Sequence, residues 1–282
     1  PTRHPLYEGM LLPATPRLMQ ALSQHDFVLA VGAPVFLLYP YFPGGMLPPG
    51  VRAMLITDDP QEASRAPVDR AFVGDIRRAL AELAAHVPPR DYTMPSRTVE
   101  EARRRSEATR ARGKMGAFFV LHTLSRYLPD NAVVVDEAVS SSLCLREFVR
   151  LAPTNDYYTS ASGGLGWAMP ASIGIQMAQP DRPVVCVIGD GSVMYSVQTL
   201  WSAREENAPV LFLVLNNGAY NILKSFTAAF YPGSGVQGLD VPHLDLAQLA
   251  QGMGVHAERL TTPDAVEEAI PRALQMRQPT LL

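Results

Sequence analysis

The sequence predicts an α/β protein built as two Rossmann-like domains, each around a parallel sheet. Three observations carry this. Short apolar runs that end in Gly or in a polar pair recur along the chain, at Phe27–Gly32, Arg52–Thr57, Ala132–Val135, Pro183–Ile188 and Pro209–Leu215. Stretches with helical spacing of apolar residues alternate with them, which is the pattern of repeated strand–helix units. The Gly-rich and polar residues fall just after the strands, at the carboxyl edge where doubly wound sheets hold their ligands. At 282 residues the chain has room for two domains of the usual ~100–200 residues each.

The elements follow in order. In residues 1–88, Phe27–Val31 closed by Gly32 predicts a buried parallel strand. Arg52–Thr57 and Ala71–Val73 predict two more. Between them Pro60–Ala66 has helix-start character, and Asp75–Val87 spaces its apolar residues helically with Arg on the other face. Residues 89–116 predict a charged linker: Pro89 and Pro95 precede Glu100–Lys114, where acidic residues interleave with the arginines and no aromatics accompany them. That composition fits a solvated, partly helical connector better than a nucleic-acid surface. A second series occupies 117–282. A helix ends at Tyr127 before Pro129-Asp130-Asn131, and strand Ala132–Val135 ends in Asp136-Glu137. Gly163-Gly164-Leu165-Gly166 leads into a helix from about Ala168. Strand Pro183–Ile188 is followed by Gly189-Asp190-Gly191-Ser192, a helix spans Ser196–Glu206, and strand Pro209–Leu215 runs into Asn216-Asn217-Gly218. The chain starts without Met and closes on Pro279–Leu282, the opening of a strand, so it is expected to be a piece of a longer chain.

Composition narrows the class. Apolar residues make up 47% and charged residues 18%, with a net charge of −3, so no overall bias favours nucleic acid or an anionic membrane. Cys144 and Cys186 are too few for a disulfide framework and fit a reducing compartment. No apolar stretch reaches the ~20 residues that span a bilayer, and Pro-Thr-Arg-His-Pro at the start has no signal-peptide core. A cytoplasmic location, with neither membrane nor nucleic acid as partner, is the expectation.

The chemistry concentrates in two strand ends. Gly189-Asp190-Gly191-Ser192 sets one carboxylate at a strand tip between glycines that permit close backbone approach, and the following turn offers N–H groups to a phosphate. Alone, this is as readily an ordinary Asp-Gly turn. Asn217, however, follows Asp190 by 27 residues at the end of the next strand, so one helix later the two tips are neighbours in a parallel sheet. A carboxylate oxygen, an amide oxygen and a backbone carbonyl then face one side. Hard oxygen donors, with phosphate and water filling the remaining positions, are what Mg²⁺ takes.

A GDG followed by NN at this spacing resembles the thiamine diphosphate motif of the pyruvate decarboxylase and acetolactate synthase superfamily. The flanks extend the resemblance: DEAVSSS at Asp136–Ser142, YYTSASGGLGWAMPASIG at Tyr157–Gly174, IGDGSVMYSVQTLW at Ile188–Trp201, LVLNNGAYNILKSF at Leu213–Phe226 and GLDVPHLDLAQLAQGMGV at Gly238–Val255. Within the superfamily these are most similar to the benzoylformate decarboxylases, and PTRHPLYEGM with VGAPVF at Val31–Phe36 resembles their middle domain. The resemblance implies that 1–88 is the C-terminal part of a middle domain and 117–282 the diphosphate-binding domain. It also implies thiamine diphosphate and Mg²⁺ as cofactors, a 2-keto acid substrate, and a homodimer or homotetramer. By the same resemblance Asp190 and Asn217 give side-chain oxygens to Mg²⁺, and Ala219 gives its carbonyl. Gly189, Gly191 and Ser192 hold the diphosphate, with Tyr220 and Ser140 near it. Leu165 props the cofactor from beneath, and the Gly163 carbonyl accepts a hydrogen bond from its aminopyrimidine.

Two departures and one absence qualify the substrate. The family's activating Glu belongs to an N-terminal domain outside this sequence, and Glu137, at a strand end of another domain, does not take that role. Tyr39 stands where the benzoylformate decarboxylases carry a catalytic His, and a phenol is a poor proton relay near neutral pH. Thr159 stands where they carry a pocket aromatic. The six histidines (His4, His25, His86, His122, His243, His256) are scattered and expected to be structural or exposed. An acetolactate-synthase-like carboligase and a non-catalytic cofactor-binding relative are the alternatives. A nicotinamide domain is disfavoured, because no G-x-G-x-x-G follows a strand.

Overall fold

The fold is that of a computed structural model, which describes residues 4, 6–7, 9–11, 14–34, 42–89, 91, 103, 106–107, 109–110, 115–149 and 156–282, the Glu147 side chain apart. The chain divides into two units, Met10–Met94 and Pro95–Leu282 with Pro1–Gly9.

In the first unit α1 (Thr15–Leu22), β1 (Phe27–Val31), β2 (Arg52–Thr57), α2 (Pro60–Arg65), β3 (Arg70–Val73) and α3 (Ile76–His86) follow one another. The three strands pair in parallel in the order β1-β2-β3. Local signals set the helix ends. Asp59 accepts N–H bonds from Gln61 and Glu62 ahead of Pro60, and Asp75 accepts one from Arg78 at 2.7 Å, so both helices start on an Asp cap. Only the middle strand is well buried, through Ala53, Leu55 and Ile56. Phe27–Gly32 forms the expected strand, but Phe27 and Leu29 are 44% and 37% exposed rather than buried. α2 packs on both β2 and β3 and α3 on β2, yet all four residues of β3 stay exposed.

The second unit contains α4 (Ala117–Tyr127), β4 (Val133–Glu137), α5 (Ser142–Phe148), β5 (Tyr157–Thr159), α6 (Ala168–Ala178) and β6 (Val184–Gly189). There follow α7 (Asp190–Val193), α8 (Thr199–Glu205), β7 (Val210–Leu215), α9 (Asn221–Phe230), α10 (Leu246–Gly252), β8 (His256–Ala257), α11 (Pro263–Ala273) and β9 (Thr280–Leu281). Its six strands are all parallel, in the order β5-β4-β6-β7-β9-β8. β4, β6 and β7 are continuous Val/Ile/Leu runs because helices cover both faces. Val134, Val185 and Leu211 pack with α4, α5 and α11 on one side, while Val135, Cys186 and Phe212 pack with α6, α8 and α10 on the other. Both cysteines are free and buried.

The helix predicted to start at Ser196 begins at Thr199. The preceding turn is held by N–H bonds from Thr199, Leu200 and Trp201 to the carbonyls three residues back. That pattern is the tighter 3₁₀ form, which a pattern of apolar spacing does not distinguish. Charged residues of the expected linker also touch this unit: Arg110 pairs with Asp264 and Glu267 at 3.0 and 2.7 Å. Among the described residues no helix is long and apolar enough to cross a membrane.

Phe212 is fully buried in the central strand β7. Phe212→Ala is expected to cost ~3–5 kcal/mol, read as a lowered urea midpoint by fluorescence of Trp167 and Trp201, both of which lie in this unit.

Candidate functional site

β6 and β7 pair in parallel with Gly189 opposite Leu215. That register places Asp190, the next residue of one strand, beside Asn216 and Asn217, the next residues of the other. The pairing is locked across the tips: Asp190 Oδ2 accepts the Gly218 N–H at 2.7 Å. Asn216 and Asn217 then fold back on the same turn, their Oδ1 atoms accepting N–H bonds from Gly218 at 3.2 Å and Ala219 at 3.0 Å. A short antiparallel bridge, Ala219 to Asp240, ties down the far side, with Tyr220 N–H donating to Leu239 and Val241 N–H to Gly218.

One cavity is lined by Ser140, Leu165, Gly189, Asp190, Gly191, Ser192, Asn217, Ala219 and Tyr220, together with Ala138, Val139, Ser141, Leu215, Asn221 and Ile222. Sequence reasoning singled out the first nine. Gly163, the tenth, lies outside it in an exposed turn at φ +70°. Thr159 ends β5, exposed, and donates to the Asp136 carbonyl at 3.2 Å; it does not line this cavity. Tyr39 lies outside the described residues. His122 sits against Ser106 at 3.2 Å, with burial and then Arg126 lowering its pKa, and no histidine lines the cavity.

The cavity floor has little slack. A Cβ on Gly191 would stand 2.5 Å from Cε1 of Tyr220, so the backbone there can pass beneath the ring only as glycine. Asp190 is 3% exposed, yet its Oδ1 accepts no hydrogen bond among the described residues, and neither does the Ser192 hydroxyl beside it. Neither atom is among the sealed polar atoms left without a partner, so both open onto the cavity; a carboxylate oxygen and a hydroxyl side by side there are available to a ligand. Among the described residues no group of three or more His, Cys, Asp or Glu could hold a metal. A cation here would therefore rely on one carboxylate plus neutral oxygens.

Two more acids, next to each other at the end of β4, organise the rim. Asp136 accepts from the Ala138 N–H at 2.9 Å, the Ser142 hydroxyl at 3.1 Å and the Tyr157 hydroxyl at 2.5 Å, which fixes the turn that carries Ser140. Burial first, then the Asp136 charge, pushes the Tyr157 pKa well above its ordinary value, and Arg146 steadies the phenol from 3.1 Å. Glu137 accepts from the Gly166, Trp167 and Ala168 N–H groups at 2.7, 2.9 and 2.7 Å, at the start of α6. Sequence reasoning set Glu137 aside and gave Asp136 no part. The available signal was a Gly-rich helix start without Ser, Thr, Asn or Asp at its cap.

Residues 138–282, just over half of the chain, match the thiamine pyrophosphate enzyme family through its C-terminal TPP binding domain. The chain belongs to this family. It is 36% identical, over all of its length, to benzoylformate decarboxylase of Pseudomonas aeruginosa and spans 52% of that protein. The solved structure of a thiamine diphosphate-dependent 4-hydroxybenzoylformate decarboxylase from Rhodococcus jostii RHA1 superposes with a TM-score of 0.88 at 37% identity. It too covers all of this chain, which spans 52% of that one. The large subunit of acetolactate synthase isozyme 2 from Escherichia coli is 28% identical over 58% of this chain and 30% of its own. The chain thus spans about half the length of the two decarboxylases, and in this family the cavity at the β6 and β7 tips falls within the TPP binding domain.

Tyr157→Phe removes one partner of a buried carboxylate and is expected to cost ~1–3 kcal/mol. Because the folded-state pKa is raised, the phenol's contribution is fully present below pH ~10 and is lost as pH rises above it. Urea midpoints of wild type and variant should accordingly converge above that pH.

Proposed function

We propose that the chain binds thiamine diphosphate and Mg²⁺ in this cavity and supplies the diphosphate half-site of a 2-keto acid decarboxylase. The observation that carries this is the pair of oxygens without a protein partner among the described residues, Asp190 Oδ1 and Ser192 Oγ, side by side in the open cavity at the strand tips. Their chemistry fits the group. One carboxylate oxygen, the Asn217 amide oxygen and the Ala219 carbonyl are hard donors that leave most of an octahedron to phosphate oxygens and water. The Asn217 oxygen already accepts one N–H, from Ala219, and the Ala219 carbonyl one, from Asn221 at 2.9 Å. Each sp² oxygen keeps a second lone pair for a cation.

Thiamine diphosphate, when bound, supplies an electron sink for the carboxyl carbon's departing bond. The chain does the holding. Gly189 and Gly191 keep side chains out of the diphosphate path, and the first amides of α7, which have no partner within the helix, are available to it. Ser192 donates its hydroxyl, Tyr220 walls the far side, and Ser140 stands at the rim. Leu165 supports the cofactor from one face, and the Gly163 carbonyl is the proposed acceptor for its amine. The activating Glu and the oligomer (homodimer or homotetramer) belong to the whole protein as the family resemblance implies them, and the cytoplasmic location is the reading its composition supports.

Asp190→Asn in the full-length protein should weaken Mg²⁺-dependent thiamine diphosphate binding roughly 10–100-fold. That is the size of an interaction with a charged group, ~1.5–3 kcal/mol. Calorimetry giving unchanged affinity would refute the site.

The substrate follows from the relatives and from one departure. Both decarboxylase relatives act, by their names, on aryl keto acids, while Tyr39 puts a phenol where an imidazole is expected. Positioned acid–base groups contribute ~10²–10⁴-fold, so CO₂ release from benzoylformate should be slower than from another 2-keto acid, and Tyr39→His should raise it. Efficient benzoylformate turnover, indifferent to Tyr39, would restore benzoylformate as the substrate. Acetolactate-type product from paired keto acids would instead identify the carboligase.

A further inference from the structure

We infer that Glu137 is a positioning residue for the cofactor site, acting by fixing Leu165 through the backbone that follows it. The inference rests on the thiamine diphosphate assignment above. Glu137 is 5% exposed, an expensive place for a carboxylate unless several donors meet it. Three do, all main-chain, from Gly166, Trp167 and Ala168. They belong to the start of α6, whose own cap residue, Trp167, contributes no side-chain bond. Glu137 lies on β4, in register with Ile188 of β6. It therefore ties the loop to the same sheet that carries Asp190.

The distances show which end of the loop holds Leu165. On its N-terminal side the loop's main-chain donors make only long contacts, Gly163 N–H to Ser160 and Gly164 N–H to the Ser162 hydroxyl, both at 3.4 Å, with one neutral hydroxyl pair, Ser160 and Ser162, at 3.1 Å. On its C-terminal side are the three Glu137 bonds at 2.7–2.9 Å, and charge-assisted bonds of that length are about twice as strong as neutral ones. Gly166, at φ +85°, also packs so closely on Tyr195 that an added Cβ would lie 2.9 Å from that residue's Cβ. Leu165 immediately precedes this anchor. It is 37% exposed, makes up one wall of the cavity and belongs to neither core cluster, so the core does not fix it. Its height above the Asp190 tip is set by the Glu137 anchor.

Glu137→Gln leaves one acceptor oxygen and turns an NH₂ group toward N–H donors. The test uses full-length protein as wild type, Glu137→Gln, Leu165→Ala and the double variant, with thiamine diphosphate and Mg²⁺. Three quantities are measured: cofactor affinity by calorimetry, exchange of the bound cofactor's C2 proton with D₂O by quenched NMR, and backbone amide exchange at residues 166–168 without cofactor. Expected are faster amide exchange in Glu137→Gln and near-wild-type affinity. C2-proton exchange should slow about 10–100-fold, as misplacement near 1 Å produces. In the Leu165→Ala background the Gln substitution should slow that exchange no further, since pairs acting through one another are non-additive. Wild-type C2 exchange in Glu137→Gln, or the same slowing in both backgrounds, would reduce Glu137 to a helix cap and overturn the inference alone. Wild-type protein that takes up no thiamine diphosphate would overturn the cofactor assignment and the inference together. If Glu137→Gln does not fold, Glu137→Asp, which keeps the charge and withdraws it by one methylene, is held to the same cycle.

Discussion

The parallel pairing of β6 with β7, register fixed at Gly189 opposite Leu215, is the constraint on which the site depends. Side chains alternate along a strand and helices cover both faces here, so a slip of one residue would exchange the side chains that meet each helical layer and break the close packing on both. The apolar faces therefore hold the register, and the register delivers Asp190 next to the Asn216-Asn217 turn. The bond from the Gly218 N–H to Asp190 closes that arrangement across the tips. Core packing thus sets the separation of donors that come from two different strands.

Three acids at strand ends share a way of working. Asp136, Glu137 and Asp190 are buried and accept main-chain N–H bonds from loops that follow other elements or their own strand. Both oxygens of Asp136 and Glu137 are engaged. Asp190 has one oxygen engaged and one open, and that asymmetry is what suits it to the ligand role proposed for it. Because the Gly218 bond holds the carboxylate in place, binding a cation to the open oxygen requires little rearrangement and loses little to ordering.

Much of this was legible in the sequence because the signals are local. Val133–Glu137, Val184–Gly189 and Val210–Leu215 form within two residues of their predicted bounds, since apolar runs bounded by Pro, Gly or Asn leave few other choices. The spacing of Asp190 and Asn217 predicted adjacent strand tips for the same reason. Less legible was whatever depends on partners far along the chain. That Phe27 and Leu29 stay exposed follows from which strand the helices choose to cover, a tertiary fact. The role of Glu137 joins residues 29–31 positions apart, and a lone Glu after a strand carries no mark of that. The start of α8 shifted because a tight turn and a helix share the same apolar spacing.

The six-stranded sheet ends on β5, three residues long, and β8, two residues long. Its longest and most apolar strands, β6 and β7, are interior. A six-residue run such as Val184–Gly189 is the sort of segment that would template cross-strand aggregation if it lay at an open edge. Here each such run is shielded by a neighbour, and the exposed rims are too short to recruit another strand. Among the described residues the sheet is consequently blunt at both sides, with little free strand backbone along which another strand could pair.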